Sequence, residues 1–411
     1  MKKSMRTVLA AALSLACVFQ LAGCSGKKET NPSNAAAAAA DTKQETGAAD
    51  DSAEPTQTQS GSEIPAGDML WQVEPLPEKT KLVVSYLANS TPGLTTYIAK
   101  EKGWLDQCNL DVEMVYFAGG PAQMEASGSW DVGTSGIGGI ITGVLNSDIK
   151  VLGVAARDQG LFQAFFARKD SDIVKDGTGF GTVPEVYGKP ESWKGKDILT
   201  AVGTTNNYTL YCTLKSLGLT LEDVNLINMD IASATTAFLA GQGDLAGVQG
   251  TMIYDEAYQK ADSEYVMVSS DQMLKSGLSV NYVASPTAWD TKQEAVAKWL
   301  ELAAMAGEWA NAHQEEAAQM MTDMYQTDGY DTKLEDNFIT IKENPFTTLE
   351  ENYQFFTEKD ETGDLLVKTQ IYNPMNGYVE MGNYTEAQME ELKAKDNFIS
   401  EPMLEIYGRA K

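Results

Sequence analysis

The chain of 411 residues carries 31 Lys and Arg against 58 Asp and Glu, a formal net charge of −27, and it has no basic run to neutralise phosphates, which excludes nucleic acid as a partner. Its length exceeds one average domain, and 43% hydrophobic residues with 9% aromatic suffice for two packed units or one bilobed one. Surface acidity keeps such a chain soluble and leaves the field inside a buried site undetermined.

Lys2, Lys3 and Arg6 form a positive segment ahead of an apolar stretch from Val8 to Leu21, too short to span a bilayer comfortably. The stretch ends at Leu21-Ala22-Gly23-Cys24, which resembles the lipobox of bacterial lipoproteins. That resemblance implies a signal peptide over residues 1–23, cleavage before Cys24 and lipidation of its thiol, with two acyl chains to hold the chain on the outer face of the cell membrane. Residues 24–68 are rich in Ala, Ser, Thr, Gln, Asp and Glu without apolar periodicity and read as a tether, a coil of roughly 35 Å end to end. Cys17 leaves with the leader and Cys24 is lipidated. Cys108 and Cys212 then remain, with no disulfide framework or metal-ligand spacing around them, and read as separate buried thiols.

Beyond the tether, short strands alternate with helices. Lys81–Ala88 reads as a strand, Leu94–Leu105 as an amphipathic helix and Leu110–Phe117 as a second strand. A helix from Pro121, a short strand at Asp131–Thr134 and a helix from Gly136 follow, then extended runs at Val151–Ala156 and Phe162–Arg168. The pattern repeats with a strand at Ile198–Val202, a helix over Asn206–Leu217, a strand at Val224–Met229, a helix over Ser233–Ala240 and a strand at Leu245–Gln249. Such alternation predicts open, largely parallel α/β sheets. Ser279–Ala284 reads as the return into the first unit, and Thr291–Gln326 as long helices whose Trp299, Leu302, Met305, Trp309 and Met320 recur at core-facing spacing. Asp328–Lys411 reads as irregular.

Four places share a strand, a turn of small or hydroxyl residues and a helix: Ser90-Thr91-Pro92-Gly93, Gly119-Gly120-Pro121, Thr134-Ser135-Gly136 and Gly203-Thr204-Thr205-Asn206. In open α/β sheets these turns lie at the carboxyl ends of strands, where ligands bind, and each helix start offers N–H donors and positive potential to an anionic group. No GxSxG, HExxH, CxxC or P-loop pattern is present, and the single histidine, His313, sits in a polar helical stretch, so the reading is not an enzyme and calls for no cofactor and no metal. Gly241-Gln242-Gly243-Asp244-Leu245-Ala246 fits a loose dinucleotide pattern but follows a helix and opens a strand, the reverse of the required context, and reads as a helix stop. Arg157, just past a strand near the crossover, either adds charge to the ligand or pairs with Asp158 or Asp170.

Five segments, Thr96–Leu105 (TYIAKEKGWL), Phe117–Glu125 (FAGGPAQME), Trp130–Gly136 (WDVGTSG), Trp193–Asn207 and Asp223–Gly247, resemble in order and spacing the substrate-binding proteins of nitrate, sulfonate, taurine and thiamine-pyrimidine-precursor ABC importers. The resemblance implies an α/β, two-lobed, type II-like periplasmic-binding-protein fold with a hinge. It places lobe 1 at 80–167 plus 280–340, lobe 2 at 168–279, and 341–411 as a C-terminal extension packing on lobe 1. It implies a monomeric, lipid-anchored receptor that delivers a small-molecule solute to an ABC permease and ATPase. Contacts are implied at Ser90, Thr91, Gly120, Gln123, Thr134, Ser135, Thr204, Thr205, Asn206, Tyr208 and the Asp230–Ser233 loop. The chain departs from the family at Gln249-Gly250-Thr251-Met252, where members carry an aromatic residue and proline, and at Ser233, where an acidic residue is common. The far wall is thus built differently, with Gln249 and Asp230 on it. The expected solute is a small oxyanion. The alternatives are an aminated heterocycle donating to Asp230, or a sensor lipoprotein without a transport partner. The pyrimidine-precursor synthases of the same fold rely on histidine and clustered cysteines that this chain lacks.

Overall fold

The computed structural model describes residues 69–411 except Asn89, Asp158, Gln159 and Gly277, and of Glu256 the backbone alone. The expected leader at 1–23, the lipidation site Cys24, the tether at 24–68 and the Arg157 partner Asp158 lie outside the described residues. Those residues fall in one compact unit, and no helix among them is long and apolar enough to cross a membrane.

Among the described residues, ten strands form two five-stranded sheets. The first sheet, in the order β2-β1-β3-β10-β4, contains β1 (Thr80–Leu87), β2 (Leu110–Phe117), β3 (Val132–Gly136), β4 (Lys150–Arg157) and β10 (Ser279–Ala284). The second, in the order β7-β6-β8-β5-β9, contains β5 (Gln163–Arg168), β6 (Asp197–Thr200), β7 (Asn225–Asn228), β8 (Leu245–Gln249) and β9 (Tyr265–Ser270). In each sheet the first three strands are parallel and one antiparallel strand is contributed by chain crossing from the other sheet, β10 in the first and β5 in the second. The expected lobe boundary after residue 167 therefore falls within β5. The crossing comes earlier because Phe165 and Ala167 are buried in the core of the second sheet.

Two short crossovers, 158–162 and 271–278, join the lobes. The Asp271 carboxylate ties them together: it accepts from the amides of Gln163 at 2.9 Å and Phe162 at 3.2 Å, and from Gln272 at 2.8 Å. Burial pushes this carboxyl up to about 7 although the amides pull the other way.

The helix Gln293–Ala312 buries Trp299, Leu302, Met305 and Trp309 against the first sheet, as their helical spacing predicts. Trp299 donates from Nε1 to Thr96 Oγ1 at 3.0 Å and meets Tyr282 edge-on at 5.7 Å, so this buried tryptophan leaves no polar atom unpaired. Cys108 is buried and Cys212 only partly so, and both are free thiols.

Asp328–Lys411, expected as irregular, is mostly helical: Leu334–Glu343, Leu349–Thr357, Leu366–Glu380, Glu386–Lys395 and Glu401–Ala410. Thr348 with Glu351 and Thr385 with Gln388 form capping boxes that start two of these helices. The segment covers the open edge of β4. Asn352 accepts from Val154 N at 2.8 Å and donates to Val154 O at 3.0 Å, while Thr347 N donates to Ala155 O at 3.0 Å. A strand edge left open would be a template for association. The segment also reaches the second lobe, where Thr251 Oγ1 donates to Asn337 Oδ1 at 3.0 Å.

Candidate functional site

The carboxyl ends of β1, β2, β3, β6, β7 and β8 converge from the two sheets on one cavity of about 60 Å³. Leu87 and Ala88 leave β1, Ala118 to Pro121 follow β2, and Gly136, Gly138 and Gly139 end β3 and begin the helix Ile137–Ser147. From the second sheet come Ala201, Thr204 and Thr205 after β6, Asp230 to Ala232 after β7, and Gln249 at the end of β8.

Glycine is required where the walls meet. A Cβ on Gly120 would lie 2.8 Å from Gly139 Cα, and a Cβ on Gly138 would lie 2.2 Å from the carbonyl oxygen of Gly203 in the other lobe. Neither distance is tolerable for a side-chain carbon, so Gly120 lets two helix starts of the first lobe pack together and Gly138 lets backbone approach backbone across the cleft.

Two helices of 11 and 12 residues, Ile137–Ser147 and Thr205–Ser216, start on this cavity from opposite lobes, with the short helix Gly120–Glu125 beside them. None of the three N-cap residues, Gly136, Thr204 and Gly119, caps its helix through a side chain; Thr204 Oγ1 donates instead to Ala201 O at 2.6 Å. The first-turn amides and the positive end of each helix dipole are thus presented to the cavity. Among the described residues, the lining contains no Lys, Arg or His.

One carboxylate does line it. Asp230 caps the helix Ile231–Leu239, its Oδ1 accepting from Ser233 N at 2.9 Å and its Oδ2 from Ser233 Oγ at 2.6 Å. Burial alone would push its carboxyl up, but the hydroxyl and amide of Ser233 hold it below the usual carboxylate range, so it is ionised at neutral pH. Tyr330 supplies the one aromatic ring of the lining among the described residues. Burial pushes its phenol up, with Tyr116, Asp230 and Asp328 adding to the shift. Its position is fixed by Gly329, which leaves the helix Gln314–Thr327 with φ +86° and lets Tyr330 N donate to Tyr325 O at 2.8 Å.

Of the residues singled out in the sequence, Gly120, Thr204, Thr205, Asp230 and Gln249 line the cavity. Ser90, Thr91, Gln123, Thr134, Ser135 and Asn206 are buried outside that lining. Gln123 donates to Ser85 Oγ at 2.8 Å and Thr134 O at 3.0 Å. Asn206 accepts from Thr200 and donates to Gln163, which in turn donates to Thr205 Oγ1 at 3.1 Å, so these amides position the Thr205 turn. Ser233 is spent on Asp230. Tyr208 is outside the lining, its ring tilted against those of Tyr211 and Tyr378 with centroids 5.7 and 5.6 Å away. Arg157 is outside the lining, paired with Glu351 at 2.6 Å and lying over the Phe355 ring, because the Leu349–Thr357 helix packs beside β4. Gly138, Gly139 and Tyr330 were not singled out, whereas Ile231 and Ala232 fall in the Asp230–Ser233 loop that was. The glycine pair was signalled only by its place after β3, and nothing local marks Tyr330.

The chain matches the NMT1/THI5-like family over residues 91–317. It is 26% identical over 274 residues to a putative ABC transporter periplasmic binding protein of Brachyspira hyodysenteriae, covering 66% of this chain and 76% of that one. It is 32% identical over 167 residues to a putative binding protein of Brucella abortus, covering 40% of this chain and 46% of the relative's length. Among solved structures it is similar to the alkanesulfonate-binding protein of Xanthomonas axonopodis pv. citri bound to MOPS, with TM-score 0.56, 16% identity and coverage of 75% and 95%. It is also similar to the periplasmic nitrate-binding protein of Synechocystis PCC 6803, with TM-score 0.57, 15% identity and coverage of 81% and 88%. These similarities give the periplasmic-binding-protein fold.

Proposed function

The chain belongs to the NMT1/THI5-like family, and from that premise we propose that it is the extracytoplasmic solute-binding receptor of an ABC importer, not an enzyme, held at the membrane through Cys24. It closes two lobes over a small oxyanionic solute and presents the closed form to a permease. The observation that carries this reading is the pair of helices, Ile137–Ser147 and Thr205–Ser216, that begin on one cavity from opposite lobes with no side-chain caps. An oxyanion between them draws hydrogen bonds from both lobes at once, each worth about 1.5–3 kcal/mol to a charged acceptor. Only the closed arrangement supplies both sets, so the solute itself drives closure. A cavity of about 60 Å³ suits a compact group such as a sulfonate or nitrate. The similarity in fold to an alkanesulfonate-binding and a nitrate-binding protein supports the same class.

A second reading is favoured by Asp230, an ionised carboxylate on the cavity wall beside Tyr330. A solute with an amine, including an aminated heterocycle, donates to it.

A thermal-shift panel of sulfonates, nitrate, bicarbonate, amino acids and pyrimidines tests both. A solute at 100 times its Kd adds about 2.7 kcal/mol of stability. A shift with sulfonates or nitrate alone supports the first reading, a shift with pyrimidines the second, and a flat panel at millimolar concentrations refutes the receptor assignment for these classes.

A further inference from the structure

The helix Leu366–Glu380 lies beyond the family-matched stretch and touches both lobes. On one side Ile371, Tyr372, Met375 and Tyr378 share an apolar cluster with Ile137, Ile140 and Ile141 of the first lobe. On the other, Gly377 packs so closely on the second lobe that a Cβ there would lie 2.5 Å from Tyr208 Cε2 and 3.0 Å from Tyr211 Cε1. Glu380 pairs with Lys215 Nζ at 2.6 Å and also accepts from the Tyr211 hydroxyl.

Between these two contacts sits one buried phenol. The Tyr378 hydroxyl donates to the carbonyl of Thr204 at 2.9 Å, the residue that N-caps the Thr205 helix. The same oxygen would lie 3.2 Å from a Cβ on Gly138, in the first turn of the Ile137 helix. Tyr378 does not line the cavity, yet it stands where the two helix starts that do line it come together. Burial pushes its phenol well above the ordinary range, so it remains a donor at neutral pH.

We propose that Leu366–Glu380 is an interlobe strap, with Tyr378 a positioning residue that orients the first turn of the Thr205 helix, so that the strap sets how long the lobes stay closed. The proposal rests on the receptor reading above. Its apolar half is a permanent attachment to the first lobe. Its polar half, Lys215 with Glu380, has side chains 58% and 54% exposed, so both are hydrated when apart and the pair re-forms as the lobes meet. Pairs of this kind are weak and screened by salt, which suits a fastening that must release.

The test uses the full chain as wild type, Tyr378→Phe, Gly377→Leu, and the reversals Lys215→Glu and Glu380→Lys singly and together. Without solute, small-angle scattering and hydrogen exchange of the amides of residues 205–208 are measured. With taurine, ethanesulfonate or nitrate, whichever shifts the wild-type melting temperature, the dissociation rate is measured. Gly377→Leu is expected to enlarge the radius of gyration and speed exchange in that first turn. Tyr378→Phe is expected to raise the dissociation rate about two- to tenfold, the range for one neutral hydrogen bond. Each single charge reversal raises it about two- to fivefold, and the double reversal restores it. Wild-type scattering, exchange and dissociation in all variants, or a double reversal no better than the singles, overturns the strap. If Gly377→Leu does not fold, the exposed charge series decides alone. The solute-free measurements read the strap even when no probe solute binds, which separates its failure from failure of the receptor reading.

Discussion

Replacing Gly138 by alanine sets local and interlobe effects against each other. Within the helix Ile137–Ser147 the change is favourable, since alanine exceeds glycine in helix preference by up to about 1 kcal/mol. Across the cleft it is not: the new Cβ would lie 2.2 Å from the Gly203 carbonyl oxygen, against 3.4 Å for ordinary contact, and 3.2 Å from the Tyr378 hydroxyl. The deficit, 3.4 − 2.2, requires the lobes to part by about 1.2 Å at this point. Hydrogen bonds to the solute from one lobe's helix start then stretch past useful length, a loss of about 1.5–3 kcal/mol, or about ten- to 150-fold in Kd. Calorimetry with a solute identified by the thermal-shift panel measures the loss, and solute-free melting measures the fold. The expected result is a melting temperature at or above wild type together with weakened binding. Wild-type affinity in Gly138→Ala would mean that the walls do not close on each other at Gly138, and the reasoning from converging helix starts would fail with it.

Two side chains separate the solute classes. Thr205→Ala should weaken an oxyanion about tenfold and Asp230→Asn should scarcely affect it, whereas an amine-bearing solute should lose most with Asp230→Asn; calorimetry on both variants decides, and two unchanged Kd values would place the pocket elsewhere. Asp271 makes stability depend on pH. With a folded pKa of about 7 against an ordinary value near 3.9, the native state holds a proton that the unfolded chain has lost, so this group's contribution falls as pH rises from about 4 to 7. The denaturant midpoint of Asp271→Asn should accordingly drop less than wild type's over that window, and an equal drop would refute the assignment. Cys24→Ala should abolish lipid labelling and leave unprocessed precursor, which radiolabelled fatty acid and immunoblotting would show.

What the sequence disclosed were features whose cause is local. The glycine and threonine turns after strands were readable because strand, turn and helix start are contiguous, and Gly120, Thr204 and Thr205 do line the cavity. The core face of Gln293–Ala312 was readable because periodicity is a property of the segment itself. Arg157 was ambiguous for the opposite reason: nearby Asp158 and Asp170 were the visible partners, while Glu351, 194 residues away, is the one it meets. Tyr330 joins the site because a helix ends at Gly329, a local stop signal that does not tell which cavity the next side chain meets. Two of the C-terminal helices escaped notice for different reasons, one for a thin apolar signal and one for an internal proline. Glu386–Lys395 buries only Met389 and Leu392, and Leu366–Glu380 carries Pro374 in its interior, a residue that ordinarily argues against a helix.

The exchange of one antiparallel strand between the sheets has a consequence for the order of folding. Every strand of the second sheet lies between Gln163 and Ser270, so that sheet can be completed from one continuous stretch of chain. The first sheet cannot: β10 enters between β3 and β4 only after the whole second sheet has been synthesised, and the edge of β4 waits for Asn352, 198 residues beyond Val154. Contacts so distant along the chain close slowly, because loop-closure entropy is lost before they form. In a chain emerging from its N-terminus, β1 to β4 are therefore the first strands available and the last to be finished. During that interval their apolar faces and the open β4 edge depend on whatever else can cover them.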